Sequence, residues 1–368
     1  MGTILEYKDR VAFHPGHYIK KFIDYNGFTQ EDFAERLGTT PKNLSILIRG
    51  EQGLSLDIAV KLGRLTATSV DYWLNHQKAY DSLMGEMMND RLSQNDEEIM
   101  KELGYSYFRD NFKLENHARK LGEQCEEVRT ILDVSSLSSL TEKKSFPFRS
   151  SGEMSETNIL KANAMVYLAM NATMRTDASA FDRIKFEKAV DNVLNLTTDY
   201  DGFCDEVRSA FLSAGVVLTV LPNIPGSRLR GASGKVGKKA MLMVSDRSLT
   251  SDVFWFTLIH EARHIVKRDW GVSFIDEKEA DRYAEDKLIP PDKYCDFFIK
   301  RKYDSESIVS FASGIKRDPG IVVARLQKDG ACRYDDSFLN SLKHRCTLTQ
   351  DLSLCISPFA LKGELTQN

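Results

Sequence analysis

The sequence predicts an α+β chain that is mainly α. It combines an N-terminal domain of five short helices, a helical middle region, and a small C-terminal domain where a short sheet meets a longer helix. Three observations carry this expectation. Turn signals cut about the first 80 residues into helix-sized pieces, the β-branched run Val216 to Leu221 stops at Pro222, and an amphipathic stretch contains His260-Glu261-Ala262-Arg263-His264. At 368 residues the chain exceeds one ordinary core, and its 42% hydrophobic and 28% charged residues are usual for a globular protein. The expected boundaries are 1–81, 82–150, 151–330 and 331–368.

In the first domain, Pro15-Gly16 precedes the apolar set Tyr18, Ile19, Phe22 and Ile23, and Asn26-Gly27 closes that helix. Thr29 caps a second helix, Gln30 to Leu37. Gly38 supplies the positive-φ residue of a tight turn, and Thr40-Pro41 opens a third helix that ends at Arg49-Gly50. Two helices joined this tightly predict a helix-turn-helix. Helices around Ser55 to Arg64 and Ser69 to Ala79 complete the domain, with Trp73 and Tyr80 sealing its core.

From Asp81 to about Ser135 the pattern is charged and helical, and the Ser-, Thr- and Lys-rich stretch Val134 to Glu153 reads as a linker or exposed loop. Helical patterns resume at Thr157 to Met174, Ala180 to Leu196 and Gly202 to Ala214. Val216 to Leu221 is a buried strand, Gly226 to Gly237 a loop or hairpin, and Ala240 to Ser245 a second strand. The tail after Thr347 reads as weakly structured, and no internal repeat stands out.

Several classes are excluded. No apolar run approaches the roughly 20 residues of a membrane span. Met1 to Asp9 lacks the basic and apolar regions of a secretory signal, so a cytoplasmic location is expected. The six cysteines form no CxxC pair, which fits reduced thiols. A net charge of −3 provides no bulk positive field, so any DNA contact is a local patch.

On a helix, His260 and His264 lie about 40° apart around the axis and can place imidazole nitrogens on one ion. Glu261 projects about 100° away, where its carboxylate can reach a water beside that ion as a general base. A chance HExxH arises in roughly one chain in a hundred of this length, and the apolar set Phe254, Leu258, Ile259, Ile265 and Val266 gives the helix a face to bury. A hydrolytic zinc site needs a third protein ligand. The helix Asp276 to Leu288 offers Glu277, with Asp281 one turn on to orient a ligand histidine and Glu279 as the competing carboxylate. Taken alone, that helix is also what a solvated acidic face looks like.

The run Asp252-Val253-Phe254-Trp255-Phe256-Thr257-Leu258-Ile259-His260-Glu261, followed by Glu277-Lys278-Glu279-Ala280-Asp281-Arg282-Tyr283-Ala284 and Leu288-Ile289-Pro290, resembles the ImmA/IrrE family of metallo-endopeptidases. So do Ala214-Gly215-Val216, Leu221-Pro222-Asn223-Ile224-Pro225-Gly226 and Gly320-Ile321-Val322-Val323-Ala324-Arg325-Leu326-Gln327, so the resemblance covers roughly Phe181 to Gly330. It implies a small zincin fold with Zn2+ held by His260, His264 and Glu277, Glu261 as catalytic base, and helix-turn-helix repressors as substrates. Arg263 departs from the family, which keeps a small residue there. Its guanidinium is placed to crowd the water, repel the metal or stabilise an oxyanion.

For DNA reading, the polar residues near the start of the third helix, Thr40, Lys42, Asn43 and Ser45, are the base-contacting candidates, with Gln30 for a phosphate or base edge and Thr29 as cap. The segments His14-Pro15-Gly16, Thr29-Gln30-Glu31-Asp32-Phe33-Ala34-Glu35-Arg36-Leu37-Gly38 and Tyr72-Trp73-Leu74-Asn75-His76-Gln77-Lys78-Ala79-Tyr80-Asp81 resemble the HigA antitoxins of the XRE family. That resemblance implies binding to a double-stranded operator as a homodimer, and a toxin partner. The combined expectation is a DNA-binding regulator whose zinc endopeptidase domain cleaves itself or a partner repressor. The alternative is a regulator or antitoxin whose second domain is a non-catalytic metal or ligand sensor, and a third reading is an interaction protein that never binds DNA.

Overall fold

The computed structural model describes residues 3–117, 119–141, 148–150, 155–200, 202–246, 250–269, 274–345, 352 and 355, with 148–150 and 274–276 as backbone only. The chain divides into two compact units, Met1–Asn95 and Asp96–Asn368. The division falls beyond the expected boundary at Asp81 because the helix that starts at Val70 continues through it.

The first unit opens with a hairpin that the sequence reading did not foresee. Strand β1 (Ile4–Tyr7) pairs antiparallel with β2 (Arg10–Phe13), Ile4 opposite Phe13 and Tyr7 opposite Arg10. Four helices follow, α1 (Pro15–Asn26), α2 (Gln30–Leu37), α3 (Pro41–Ile48) and α4 (Leu56–Thr66). Thr29, Thr40 and Ser55 cap α2, α3 and α4, each accepting the backbone N–H three residues on. Their apolar faces close over Ile19, Phe33, Leu44, Leu62 and Trp73.

The expected fifth helix, Ser69 to Ala79, is instead the 34-residue α5 (Val70–Leu103). Leu5, Tyr7 and Ala12 of the hairpin pack with Tyr80 and Leu83 of α5, giving the helix an apolar partner past Ala79. Without the hairpin in view, that continuation has no visible reason.

His14 precedes α1 and is almost wholly buried, with its Nδ1 accepting the Gly16 N–H at 3.1 Å. Burial depresses its pKa below the ordinary 6.5, and the Asp81 carboxylate opposes this more weakly. A depressed folded-state pKa means the unfolded chain binds the proton first. The stability His14 contributes is therefore full above 6.5 and is lost as pH falls through the lower folded value. Thermal melts between about pH 7 and pH 5 should show a steeper loss for the unaltered chain than for His14→Asn, which keeps a cap without titrating.

The second unit begins with α6 (Tyr105–Phe112), α7 (Leu121–Leu132) and a 3-10 turn at Leu137–Leu140. Next come β3 (Phe148–Ser150), α8 (Glu156–Arg175), α9 (Arg183–Val193) and α10 (Phe203–Ser213). Strands β4 (Val216–Leu221), β5 (Leu229–Val236) and β6 (Lys239–Ser245) lead to α11 (Ser251–Lys267) and α12 (Phe274–Leu288). The unit continues with α13 (Pro291–Ile299), α14 (Ser305–Gly314), α15 (Pro319–Lys328) and the single turn α16 (Ser337–Asn340). The tail expected after Thr347 lies outside the described residues except 352 and 355.

The sheet order is β3-β5-β6-β4, with β4 parallel to β6 and the other two pairs antiparallel. Alternation along β4 and β6 explains why both strands are mostly apolar, with Thr219 the one polar residue inside β4 and Lys239 and Ser245 at the ends of β6. Leu218, Val220, Leu242 and Val244 join Phe254 and Leu258 of α11 on one face, whereas Met241 and Met243 join Met165 and Leu168 of α8 on the other. Both faces are covered, so the sheet sits between two helical layers.

The linker expected at Val134 to Glu153 is corrected where it is described. Leu137 and Leu140 are fully buried, and Asp96 accepts from Ser136 Oγ and the Leu137 N–H, both at 2.7 Å. Asn163 Nδ2 donates to the Leu140 carbonyl at 2.7 Å. Serines that bond locally to backbone resemble loop residues in sequence, while the carboxylate and amide that hold this stretch lie more than 20 positions away. Residues 142–147 and 151–153 of that expectation fall outside the described set. Among the described residues, no helix is long and apolar enough to cross a membrane.

Candidate functional site

Helix α11 is anchored at its first residue. The buried Asp318, N-cap of α15, accepts from Ser251 Oγ (2.6 Å), Tyr200 OH (2.7 Å), the Gly320 N–H (2.8 Å) and His344 Nδ1 (2.9 Å). From this anchor α11 runs beneath β5 and β6, with Phe254, Trp255, Leu258 and Ile259 buried. The helix therefore presents its motif from a fixed base.

His260 and His264 are buried one turn apart, and α12 brings the half-buried Glu277 to them. The two Nε2 atoms are 3.3 Å apart. Glu277 places Oε2 3.3 Å from His260 Nε2 and Oε1 3.5 Å from His264 Nε2. Zinc takes nitrogen ligands at about 2.0–2.1 Å, so two corners of a tetrahedron around it stand about 3.3–3.4 Å apart. The three side chains fit that spacing. Among the described residues this is the only group of three or more His, Cys, Asp or Glu side chains close enough to share a metal ion.

The carboxylate of Asp281 lies 2.9 Å from His260 Nδ1. An ionised carboxylate only accepts, so Nδ1 carries the proton and Nε2 keeps its lone pair on the side of His264 and Glu277. Glu279, the competing carboxylate, faces elsewhere and pairs with Arg263, with Lys267 Nζ 3.8 Å away. The Arg263 guanidinium also lies 5.3 Å from the centre of the Tyr283 ring. Of the three consequences open for Arg263 in the sequence, this geometry favours none, because the charge is engaged by α12 side chains outside the ligand set.

Glu261 is 1% exposed, and its Oε2 accepts from Ser233 Oγ at 2.8 Å. Ser233 belongs to β5, as does Gly231, where a β-carbon would meet Thr257 Cγ2 at 2.6 Å, Glu261 Cγ at 2.8 Å and Glu261 Oε1 at 2.9 Å. On the α11 side, then, β5 carries Gly231 and Ser233 opposite the Val244 and Leu242 of β6. The two small residues leave room for a carboxylate where the neighbouring strand fills space with hydrocarbon. Neither was singled out in the sequence, since a small residue in a strand gives no local sign of what crosses it. Gly231→Ala is expected to lower stability by about 1–3 kcal/mol, because Thr257 and Glu261 are both buried and must shift. Chemical denaturation monitored by Trp255 fluorescence would measure it, and an unchanged midpoint would contradict the close fit.

A cavity of about 310 Å³ opens beside this cluster, lined by Phe256 and Asp281 together with Arg230, Leu288, Ile321 and Lys328. It adjoins the histidine helix, and apolar and charged side chains share its lining.

In the first unit the helix-turn-helix is formed by α2, Gly38 at φ 65°, and α3. Thr29 and Thr40 spend their hydroxyls on caps, to the Asp32 N–H at 3.1 Å and the Asn43 N–H at 3.2 Å. Gln30, Lys42 and Asn43 are exposed. Ser45 is half-buried, and its Oγ accepts from Arg49 Nη1 at 2.5 Å. Arg49, which the sequence reading used only to mark a helix end, is an exposed cation one turn from Ser45 and pairs with Glu51 at 2.7 Å.

Comparison with known proteins falls on this first part of the chain. The family model described as helix-turn-helix matches residues 19–73. "Virulence-associated protein I" of Dichelobacter nodosus is 30% identical over 76 residues, covering 20% of this chain and 70% of the relative. "Virulence-associated protein A'" of the same organism is 36% identical over 81 residues, or 22% of this chain and 70% of the relative. A solved structure from Nostoc punctiforme PCC 73102, described as an antidote protein of a plasmid maintenance system, is 28% identical. It covers 22% of this chain and 88% of its own, with a TM-score of 0.22. With its capped α2, left-handed Gly38 and exposed α3 start, the chain belongs through its N-terminal unit to the XRE-family helix-turn-helix DNA-binding proteins.

Proposed function

We propose that this chain is an antitoxin-type transcriptional regulator whose second unit is a zinc-dependent endopeptidase of the ImmA/IrrE kind, acting on itself or on a partner repressor. The carrying observation is the convergence of His260, His264 and Glu277 at 3.3–3.5 Å, with the buried Glu261 next to His260 on the same helix. Bound there, zinc would supply a Lewis acid that polarises a carbonyl and acidifies water.

The side chains divide the remaining work. His260 and His264 offer neutral nitrogens, Asp281 fixes the His260 tautomer, and Glu277 adds a negative charge. Glu261 accepts a proton from the attacking water and returns it to the leaving amine, with Ser233 holding the carboxylate in one orientation. The adjoining cavity has room for a substrate side chain. The sensor alternative rested on Arg263, and the pairing of that residue with Glu279 favours the catalytic reading.

For the first unit, the HigA-like reading adds an operator, a homodimer and a toxin or repressor as partner. The exposed Gln30, Lys42 and Asn43 are the contacts. The helix-turn-helix matched over residues 19–73 supports this assignment.

The test is direct. The purified chain, loaded with zinc or stripped by a chelator, is incubated alone and with the helix-turn-helix repressor encoded nearest to it. Fragments in the zinc arm only are expected. Their absence from both incubations removes the peptidase reading.

A further inference from the structure

Positive charge gathers in the second unit where α11 ends beside the turn between β5 and β6. A hollow of about 300 Å³ there is lined by Lys235, Lys238, Lys239 and Arg268 together with Phe181, and no carboxylate among the described residues lines it. Three segments bring the cations together. Lys235 is the last but one residue of β5, Lys238 and Lys239 lead into β6, and Arg268 caps α11 in the left-handed region at φ 60°. The Phe181 N–H donates to the Lys238 carbonyl at 2.9 Å, and the Arg268 guanidinium lies 6.0 Å from the centre of the Phe181 ring.

Cations elsewhere in this unit are matched. Lys343 lies 3.1 Å from Asp252 and Arg325 2.8 Å from Asp329. Next to the hollow, Lys267 turns to Glu279 at 3.8 Å. Lys239 donates to the Thr176 carbonyl at 2.6 Å, a neutral acceptor that leaves its charge uncancelled. Lys235, Lys238 and Arg268 are exposed and have no ion pair among the described residues. Like charges held together repel one another, and a concave surface of one sign concentrates ions of the other. One carboxylate would answer a single charge, whereas four cations suit a ligand with several. Lysine point charges and an arginine fork are the donors that phosphate oxygens take.

We propose that this hollow is a binding site for a small phosphate compound of the diphosphate kind, carrying two or more negative charges. Arg268 follows His264 by one turn, and the Asp269 N–H closes that turn on the His264 carbonyl at 3.0 Å. A ligand on Arg268 therefore bears on the last turn of the helix that carries His260 and His264. Binding requires neither zinc nor cleavage, so it stands or falls apart from the peptidase reading.

The probe is inorganic pyrophosphate, titrated calorimetrically into the full metal-free chain. A Kd below about 1 mM is expected, weakened about tenfold or more in K235Q/K238Q and again in R268N, since asparagine tolerates the left-handed cap. The altered positions are exposed, so both variants should melt as the unaltered chain does. K300Q/K302Q removes two exposed charges elsewhere in the unit and should leave the affinity unchanged. Amide hydrogen exchange should slow over Lys235–Lys239 and Ile265–Asp269 when pyrophosphate is added. Duplex DNA is the other source of phosphate. The fall of duplex affinity with salt should have the same slope in the unaltered chain and in K235Q/K238Q. A slope smaller by about two makes the patch a DNA contact and overturns the small-ligand proposal. So does the absence of pyrophosphate binding, or equal weakening in K300Q/K302Q.

Discussion

Glu261→Gln is expected to cut zinc-dependent peptide cleavage by about 10²–10⁴-fold while zinc content stays at the unaltered level. Glutamine keeps the shape of the side chain and an oxygen for Ser233 Oγ, so the 2.8 Å contact and the packing against Gly231 survive. What disappears is the ability to take a proton at neutral pH. Initial rates on a quenched-fluorescence peptide, with metal analysis of the same samples, separate the base from the ligands. Equal rates would remove Glu261 from the chemistry, and loss of zinc together with the rate would mean that it supports the metal.

His264→Ala is expected to weaken zinc binding by more than about a hundredfold, since even an outer hydrogen-bond partner of a ligand is worth about 10–100-fold. The spacing of the donor atoms gives the reason. His264 Nε2 closes the triangle with His260 at 3.3 Å and Glu277 at 3.5 Å, and no other cluster of three or more such ligands occurs among the described residues. Competition against a chromophoric chelator gives the affinity, and a thermal melt of the metal-free variant reports the packing lost from a side chain 2% exposed. An affinity within threefold of the unaltered chain would exclude His264 as a ligand.

The sequence carried the motif helix and its neighbours well because their signals are local. The run at Val216–Leu221, apolar but for the buried Thr219, is a strand over the same residues, since a strand buried on both faces stays apolar to its ends. The helix holding His260 and His264 extends over Ser251–Lys267, and the caps at Thr29 and Thr40 are placed as the Ser/Thr rule requires.

What remained hidden depends on partners distant in the chain. Ser233 and Gly231 acquire meaning only when β5 crosses Glu261, 28 positions beyond Ser233. The hairpin at Ile4–Phe13 is built from two four-residue strands, too short to show an alternating pattern, and the length of α5 depends on it. Arg263 was ambiguous for a related reason. Its angle around the helix was legible, but the carboxylate that captures it lies 16 positions away on α12.

The seat at Asp318 determines where the second unit can be shortened. The family-like stretch ends near Gly330, yet a fragment stopping there would lose His344, one of the four donors to a fully buried carboxylate. It would also lose Lys343, whose ammonium lies 3.1 Å from Asp252, and Arg345, which bridges to Thr250 ahead of α11. Each contact fastens the first turn of the histidine helix. The smallest fragment able to hold His260, His264 and Glu277 in register therefore extends to Arg345, fifteen residues past the point where recognisable sequence ends.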